Sequence, residues 1–224
     1  SAFQQHADGS VQHLRVRHND TVIAINAQRF VFAAGEGNEQ LSALLNITKP
    51  AMQRRPLRQV LVKHEHPYRL YAHCMGTNAS PRLTISSHPS RDGKMVWYLG
   101  GDLATDGATQ SDDTVLSRAK SELEALFPWL DFASSEWATL YINRAEPQQK
   151  GLIKPDKAFA ETARECANVI VGWPTKLTLS PNMADEVCAL LTADNIQASG
   201  AEPDKVLAAL PRPVVGTPCW DSIF

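Results

Sequence analysis

The alternation of hydrophobic and polar side chains divides the start of the chain into short extended segments. Residues 11–16 alternate, and residues 21–26 resume the alternation after a polar turn, so the pair predicts a β-hairpin. The stretch 29–34 is apolar after its arginine and ends at Gly35, which is typical of a buried parallel strand. A short helix is expected next, with Asn38 as its N-cap.

The middle of the chain has the spacing of an antiparallel meander. An arginine-rich linker is predicted between Pro50 and Pro56, and strand signals then recur about every ten residues. An amphipathic helix follows, with Asp112 or Asp113 as its expected N-cap and apolar side chains along one face. The predicted strands cover residues 59–63, 69–74, 82–87 and 95–100, and the helix covers residues 113–127.

The last third returns to buried segments and ends in a proline-rich tail. Its predicted elements are a strand at 137–143, a short polar helix or turn at 158–166, a buried strand at 168–172, a helix at 182–192 and the tail at 193–224. The pattern predicts an α+β fold with an α/β-like part, in which a mixed, largely antiparallel sheet is covered by helices. The segments 11–34 and 168–172 are expected to lie close together.

Composition and charge exclude several classes of function. The net charge of −2 gives no electrostatic case for binding nucleic acid. The four cysteines form no CxxC pair, so free thiols in a reducing cytoplasm are expected. No run approaches the roughly 18 apolar residues of a spanning helix, and the N-terminus does not have the pattern of a signal peptide. His64 and His66 need not converge and HExxH is absent, so no metal site is predicted.

Two loops have the composition of a ligand site. After the strand at 29–34, Gly35 and Gly37 permit close approach of a phosphate or an aromatic ring, although a plain tight turn has the same composition. The strand at 168–172 leads into a second loop, where backbone N–H groups and Lys176 would suit an electron-rich, partly anionic group. The alternative is an ordinary loop with a solvated lysine. The chain contains no GxGxxG motif.

The second loop resembles the C-terminal flavin-contacting loop of FAD-dependent glycerol-3-phosphate dehydrogenases. That family has Gly-Lys-Leu-Thr-Thr before a helix with Met-Ala-Glu, and this chain has Lys-Leu-Thr at 176–178 and Met-Ala-Asp at 183–185. Thr175 replaces the family's glycine, and Pro181 stands where the family has an arginine. The stretch Val-Phe-Ala-Ala-Gly-Glu-Gly-Asn at 31–38 resembles the strand and Ala-Ala-Gly turn beside the flavin in the same superfamily.

The order of the elements also matches, so residues 11–192 are identified as similar to the D-amino-acid oxidase/glycerol-3-phosphate dehydrogenase (DAO) superfamily. Arg144 and Pro147 match an Arg-x-x-Pro strand that carries a substrate-binding arginine over the flavin, and residues 97–107 resemble a Gly-Gly-Thr-Asp region. The resemblance implies hydride transfer from a small anionic substrate to FAD, with Arg144 and Lys176 as catalytic residues. The implied cofactor-binding residues are Gly35, Gly37, Pro174, Thr175, Lys176, Leu177 and Thr178.

The resemblance also implies a domain organisation. Residues 1–56 and 151–192 would belong to the FAD-binding domain, residues 57–150 would form the substrate-binding domain, and residues 193–224 would be the tail. Because the pyrophosphate-binding GxGxxG lies outside this sequence, the chain is interpreted as a C-terminal part. It is expected to be inactive and free of FAD by itself, and to need an N-terminal FAD-binding segment or a homo-oligomer as its partner.

Two alternatives stay open at this point. One is a catalytically silent module that binds a ligand or a partner with the same fold. The other is an unrelated α+β hydrolase, for which Ser87 and His88 are adjacent although no GxSxG motif is present. Flavin absorbance bands in the purified protein would favour the oxidoreductase alone.

Overall fold

The computed structural model describes residues 2–152, 154–197, 208, 210–212 and 214–224. The chain divides into two units: Ser1–Arg55 with Arg144–Pro213, and Pro56–Asn143 with Val214–Phe224. The boundaries fall inside two long strands, β5 (Met52–His64) and β9 (Glu136–Pro147). Within the predicted tail at 193–224, residues 198–207, 209 and 213 lie outside the described residues. The predicted α+β class is confirmed.

The first unit contains two three-stranded sheets. In one, β2 pairs antiparallel with both β1 and β3, which confirms the predicted hairpin and adds a strand before it. In the other, the order is β10-β11-β4, and β11 runs parallel to β4 with Val169 opposite Phe30. The segments 11–34 and 168–172 therefore meet as expected. The strands are β1 (Phe3–Gln5), β2 (Val11–His18), β3 (Thr21–Ile25), β4 (Phe30–Phe32), β10 (Phe159–Thr162) and β11 (Val169–Trp173).

One predicted element of this unit is wrong. Residues 158–166 were expected to form a polar helix or a turn, but they contain β10, which pairs antiparallel with β11 from Phe159 opposite Trp173 to Thr162 opposite Ile170. The hydrogen bonds offered by the buried strand beside it decide the backbone conformation, because strand preference depends more on neighbours than on local sequence. The core of the unit lies under these strands and includes Phe3, Val11, Phe32, Val171 and Trp173.

The second unit is built on the predicted meander. Its sheet has the order β6-β7-β8-β5-β9, and the pairs β6–β7, β7–β8 and β8–β5 are antiparallel. Val115, Ala119 and Leu123 of α3 pack on Val62 and Leu99 of the sheet, which confirms that this helix covers it. The remaining elements are β6 (Ala72–Met75), β7 (Pro81–Pro89), β8 (Met95–Gly100), α2 (Asp102–Gly107) and α3 (Asp112–Leu126).

Two local predictions in this part of the chain need correction. The residues between Pro50 and Pro56 are not a linker, because β5 already begins at Met52 and runs through Pro56 beside β9. The N-cap of α3 is Ser111 rather than Asp112 or Asp113. The Ser111 hydroxyl accepts a hydrogen bond from the N–H of Thr114, and both aspartates lie in the first turn, where their charge is favourable to the helix dipole.

The last eleven residues pack on the second unit. The Asp221 carboxylate of α5 (Trp220–Ile223) accepts hydrogen bonds from the Ser90 hydroxyl at 2.8 Å and the Arg91 N–H at 3.0 Å. The Trp220 ring stacks on His88 with 4.3 Å between the ring centroids. The other two helices, α1 (Gly37–Leu44) and α4 (Ser180–Ala193), belong to the first unit.

Strand β4 presents an apolar residue on its outer face. Phe30 and Phe32 are buried, but the side chain of Val31 is 42% exposed, and β4 is an edge strand of its sheet. The strand is therefore not covered on both faces by the described part of the chain. Exposed apolar edges favour association with another chain, because their backbone N–H and C=O groups offer a template for pairing.

We expect the 224-residue chain to self-associate through this edge, and Val31→Lys to shift it towards the monomer because a charge opposes burial at the edge. Sedimentation velocity over a range of concentrations would measure the change. The control is Leu44→Lys, since Leu44 is similarly exposed on α1. A monomer at every concentration, or an equal response to both substitutions, would rule out this role for β4.

Candidate functional site

The two loops that the sequence singles out lie side by side in the first unit. Because β4 and β11 are parallel neighbours, the loops that follow them leave the same edge of the sheet. We call residues 33–37 the glycine turn, and residues 172–178, which are the end of β11 and the loop that follows it, the lysine loop. The buried side chain of Asn38 connects the two: its Oδ1 accepts a hydrogen bond from Ala34 N–H at 2.8 Å, and its Nδ2 donates to the Gly172 carbonyl at 3.0 Å.

This placement corrects the role predicted for Asn38. The N-cap of α1 is Glu36, with no side-chain capping bond, and Asn38 lies inside the first turn of the helix. A second bond joins the same two segments, since the indole N–H of Trp173 donates to the Gly35 carbonyl at 3.0 Å. Gly35 has φ of +59°, and a Cβ built there would meet no atom within 4 Å, so the turn presents open backbone.

The lysine loop has the conformation of an exposed helix entry. Thr175 adopts φ of +60°, and its hydroxyl donates to the Lys157 carbonyl at 2.9 Å, which holds the loop against the segment that precedes β10. A short 3-10 turn (Leu177–Leu179) leads directly into α4. Leu177 is 88% exposed, and Lys176 and Thr178 are also exposed. The loop thus presents an apolar side chain, a cation and the N–H groups of a helix start to one ligand.

These features fit the isoalloxazine end of a flavin. An aromatic ring needs an open backbone and an apolar contact, which Gly35 and Leu177 provide. Its electron-rich pyrimidine edge needs N–H dipoles and positive charge, which the residues from Lys176 to Thr178 supply. The described residues bring together the predicted cofactor-binding positions Gly35, Gly37, Pro174, Thr175, Lys176, Leu177 and Thr178 on two connected loops.

A cluster of cations surrounds a buried carboxylate in the same unit. Glu146 on β9 is 1% exposed and accepts two hydrogen bonds from Arg55, at 2.9 and 3.2 Å. Gln53 supports it with a third, at 3.4 Å. Arg144 lies two residues before Glu146 on the same strand, so the two side chains are on one face of it.

Lys154 connects this cluster to the lysine loop. Burial lowers the pKa of its ammonium group, and the positive charges of Lys176, Arg144 and Arg55 lower it further, with Glu146 acting in the opposite direction. The structure therefore places Arg144 and Lys176, the two predicted catalytic residues, within electrostatic reach of one lysine. Sequence reasoning missed Lys154, and it took Arg55 for part of a linker. The available signal was a pair of polar residues two positions apart in each strand: Gln53 and Arg55 in β5, and Arg144 and Glu146 in β9.

The second unit holds a different kind of polar group. His64 is 2% exposed, and its ring packs at 4.7 Å from Trp97 and 5.9 Å from Phe132. Neither ring nitrogen lies in ordinary hydrogen-bond geometry with a partner in the described part of the chain. Burial, followed by the charge of His66, lowers the pKa of His64 from 6.5 to about 4, and the backbone of His66 offsets part of this. His64 is thus a neutral core residue at pH 7.

The Gly-Gly region at 97–107 forms the end of β8 and the start of α2. Trp97 and Leu99 are core residues, and Gly101 has φ of +80°, where a Cβ would approach the Pro81 carbonyl to 2.6 Å. This region therefore needs glycine for close packing of the chain. Across the described ranges, no three His, Cys, Asp or Glu side chains group as a metal site. Nor does any described helix have the length and apolar character needed to cross a membrane.

No protein-family model matches the sequence. The probable FAD-dependent oxidoreductase PA4991 of Pseudomonas aeruginosa is 48% identical over 202 residues, which is 89% of this chain and 50% of that protein. The crystal structure of PA4991 superposes with a TM-score of 0.79 at 44% identity, covering 94% of this chain and 59% of that chain. The chain therefore spans about half the length of the curated relative that it matches.

More distant structures show the fold alone. The glycerol-3-phosphate dehydrogenase of Bacillus halodurans, solved in complex with FAD, matches with a TM-score of 0.50 at 17% identity over 90% of this chain and 39% of that chain. The L-proline dehydrogenase of P. horikoshii matches with a TM-score of 0.53 at 11% identity over 89% of this chain and 50% of that chain. The resemblance to FAD-dependent oxidoreductases predicted from the two loops is confirmed: this chain is a homologue of the probable FAD-dependent oxidoreductase PA4991, matched over half of that protein's length.

Proposed function

We propose that this chain supplies the substrate-binding domain and the ring-contacting loops of an FAD-dependent oxidoreductase. The observation that carries the proposal is the hydrogen-bonded junction of the glycine turn with the lysine loop through Asn38 and Trp173. A plain strand-to-helix loop has no need of a buried amide that holds a second loop beside it. The naming of PA4991 as an FAD-dependent oxidoreductase supports the same cofactor.

The domain assignment follows from the proposal. Residues 1–56 and 151–192 would complete the flavin-binding part, residues 57–150 would cover the substrate, and residues 193–224 would form a tail. The partner is a segment that carries the pyrophosphate-binding GxGxxG motif, or a second copy that covers β4. Either would bury Val31, which the described residues leave exposed.

The chemistry supplied by FAD is acceptance of a hydride from a substrate C–H bond. The residues of this chain position the reactants and provide charge. Lys176 and the N–H groups at the start of the 3-10 turn would lie against the electron-rich edge of the ring, where negative charge develops during the reaction. Thr175 fixes the loop through its bond to Lys157, so that the charge of Lys176 is placed before the reaction begins.

The substrate is proposed to be a small anion, such as a hydroxy acid, an amino acid or a glycerol-phosphate-like compound. Arg55 forms an ion pair with Glu146, and the positive charges of Lys176 and Arg144 both act on Lys154, so positive charge accumulates around Lys154. The planar guanidinium of Arg144 suits a carboxylate or a phosphate. Positive charge held at one place attracts an anionic substrate and fixes its orientation.

We expect Lys176→Ala, made in the FAD-loaded protein completed by a GxGxxG segment, to slow flavin reduction by about 10²-fold while FAD affinity falls less than about tenfold. The reason is that an interaction made mainly with the developing charge lowers the barrier more than it stabilises the bound ground state. Stopped-flow absorbance would give the reduction rate, and fluorescence titration would give the affinity for FAD.

Arg144→Met serves as the paired variant in this experiment. Loss of substrate binding is expected to raise the apparent Kd of the substrate with little change in the limiting reduction rate. The proposal is contradicted if Lys176→Ala weakens FAD binding as much as it slows reduction. It is also contradicted if Arg144→Met leaves the substrate Kd unchanged for every hydroxy acid, amino acid and glycerol phosphate that reduces the flavin.

A further inference from the structure

The amide of Asn38 is buried, and each of its two ends is used by a different loop. Its side-chain oxygen accepts from Ala34 N–H in the glycine turn, and its NH₂ group donates to the Gly172 carbonyl, one residue before Trp173. The residue is 0% exposed, so water does not compete for either bond. Simultaneous acceptance and donation at these positions requires an amide or a protonated carboxyl group.

The acidic residues next to Asn38 in the sequence are neutralised by an arginine. The two acids beside it, Glu36 and Glu39, are both paired with Arg54, at 2.7 and 2.6 Å. The Trp173 indole, which packs in the core of the unit, adds a bond to Gly35 across the same junction. Two hydrogen bonds thus connect segments that are more than 130 residues apart in the sequence, and the bond from Ala34 to Asn38 fixes the amide within the first of them.

We propose that Asn38 is a positioning residue that holds the glycine turn and the lysine loop at a fixed separation, so that both present their backbone to the same ring. The ring as ligand rests on the proposed function. The mechanical connection between the loops does not, because it follows from hydrogen bonds within this chain. Asn38 acts through Ala34 and Gly172 and touches no ligand itself.

The test is Asn38→Asp in the full 224-residue chain. A protonated Asp keeps both bonds, whereas an ionised one cannot donate to the Gly172 carbonyl and is repelled by it, so the charged group moves towards water and the Ala34 N–H loses its partner. Burial raises the pKa of a carboxyl group, which brings its titration into an accessible range. The readouts are the indole ¹H–¹⁵N resonance of Trp173 and the hydrogen-exchange rate of the Ala34 amide, both measured by NMR at pH 5 and pH 8.

We expect the variant to match the unsubstituted chain at pH 5. At pH 8, the Trp173 resonance should shift and the Ala34 amide should exchange at least roughly tenfold faster than in the unsubstituted chain at the same pH. Asn26→Asp, at an exposed position, is the matched control and should change neither signal. Signals from Asn38→Asp that do not depend on pH would overturn the proposal.

A second variant covers the case in which Asn38→Asp does not fold. Trp173→Phe removes the indole bond and leaves both Asn38 bonds in place, so Ala34 should keep its exchange protection to within about threefold. Loss of that protection would show that Trp173, rather than Asn38, holds the junction. In the FAD-loaded protein, the fluorescence of the flavin should follow the same pH dependence in Asn38→Asp. A loop transition without a flavin response would leave the role of Asn38 standing and refute the proposed flavin site.

Discussion

The 224-residue chain by itself is expected to bind FAD at least roughly three to six powers of ten more weakly than a protein that also carries a GxGxxG segment. In the proposed site, this chain contacts only the isoalloxazine end of FAD, and its sequence contains no GxGxxG for the pyrophosphate. Charge-assisted hydrogen bonds contribute about 1.5–3 kcal/mol each, so the loss of three accounts for this range. The measurement is fluorescence titration of the purified chain with FAD.

Riboflavin is the matched probe for this experiment, because it has the ring but lacks the pyrophosphate and the adenosine. We expect the isolated chain to bind riboflavin and FAD with similar, weak affinity, and the protein with the added segment to prefer FAD strongly. A yellow chain with stoichiometric, tightly bound FAD would show that the pyrophosphate is held by residues of this chain. The assignment of the cofactor site to the two loops would then be wrong.

Acidification from pH 7 to pH 4.5 is expected to destabilise the second unit by about 2–3 kcal/mol through His64 alone. The pKa of this group is about 4 in the folded chain and 6.5 as the reference value, so the unfolded state binds the proton first. Above pH 6.5 the ring is neutral in both the folded and the unfolded chain, so it does not affect stability. As the pH falls from 6.5 towards 4, the unfolded chain gains a proton that the folded chain does not, and stability is lost. Thermal and urea unfolding at the two pH values would measure the change.

His64→Phe isolates this effect, since a phenyl ring suits the aromatic contacts with Trp97 and Phe132 and does not titrate. The variant should lose most of the pH dependence between 7 and 4.5. A smaller part should remain, because burial also lowers the pKa of His88. His73→Phe, at an exposed position, should retain the full dependence. Equal behaviour of the two variants would mean that His64 is solvated or paired in solution.

Two carboxylates of the second unit affect folding stability in a separate, more acidic pH range. Hydrogen bonds from Lys63 to Asp92, and from Thr139 to Asp112, lower the pKa values of these two acids below 3.8. Their contribution to stability is present above that value and is lost only as the pH falls through the lowered pKa. The change in the free energy of unfolding between pH 7 and pH 4.5 therefore reports on histidines.

Local sequence was sufficient to predict an element where the periodicity of its hydrophobic residues marks the face that it buries. The hairpin of β2 and β3, the meander and α3 were predicted because alternation and helical periodicity mark the face that each element buries. The order of these elements, with two short loop motifs, was also enough to predict the resemblance to FAD-dependent oxidoreductases. Glycine and lysine at defined places in those loops are chemical requirements, and such requirements are visible in the sequence.

Local sequence was insufficient where a distant neighbour decided the conformation. Residues 158–166 have a polar pattern, but β11 offers a free edge and makes β10 a strand. The segment from Pro50 to Pro56 has the composition of a linker, yet the adjacent β9 keeps it extended. In both cases the hydrogen bonds of a neighbouring strand outweigh the local preference of the backbone.

The sequence by itself predicted the residues that are proposed to carry the chemistry: the glycine turn, the lysine loop and Arg144. The tertiary structure decided how they are connected. In the sequence, Asn38 stands where a helix N-cap is expected. Only the parallel pairing of β4 with β11 places its amide between Ala34 and Gly172. Lys154 and Arg55 joined the charged cluster for the same reason, since electrostatic interactions depend on distance in space, and residues far apart in sequence become neighbours only when the sheets form.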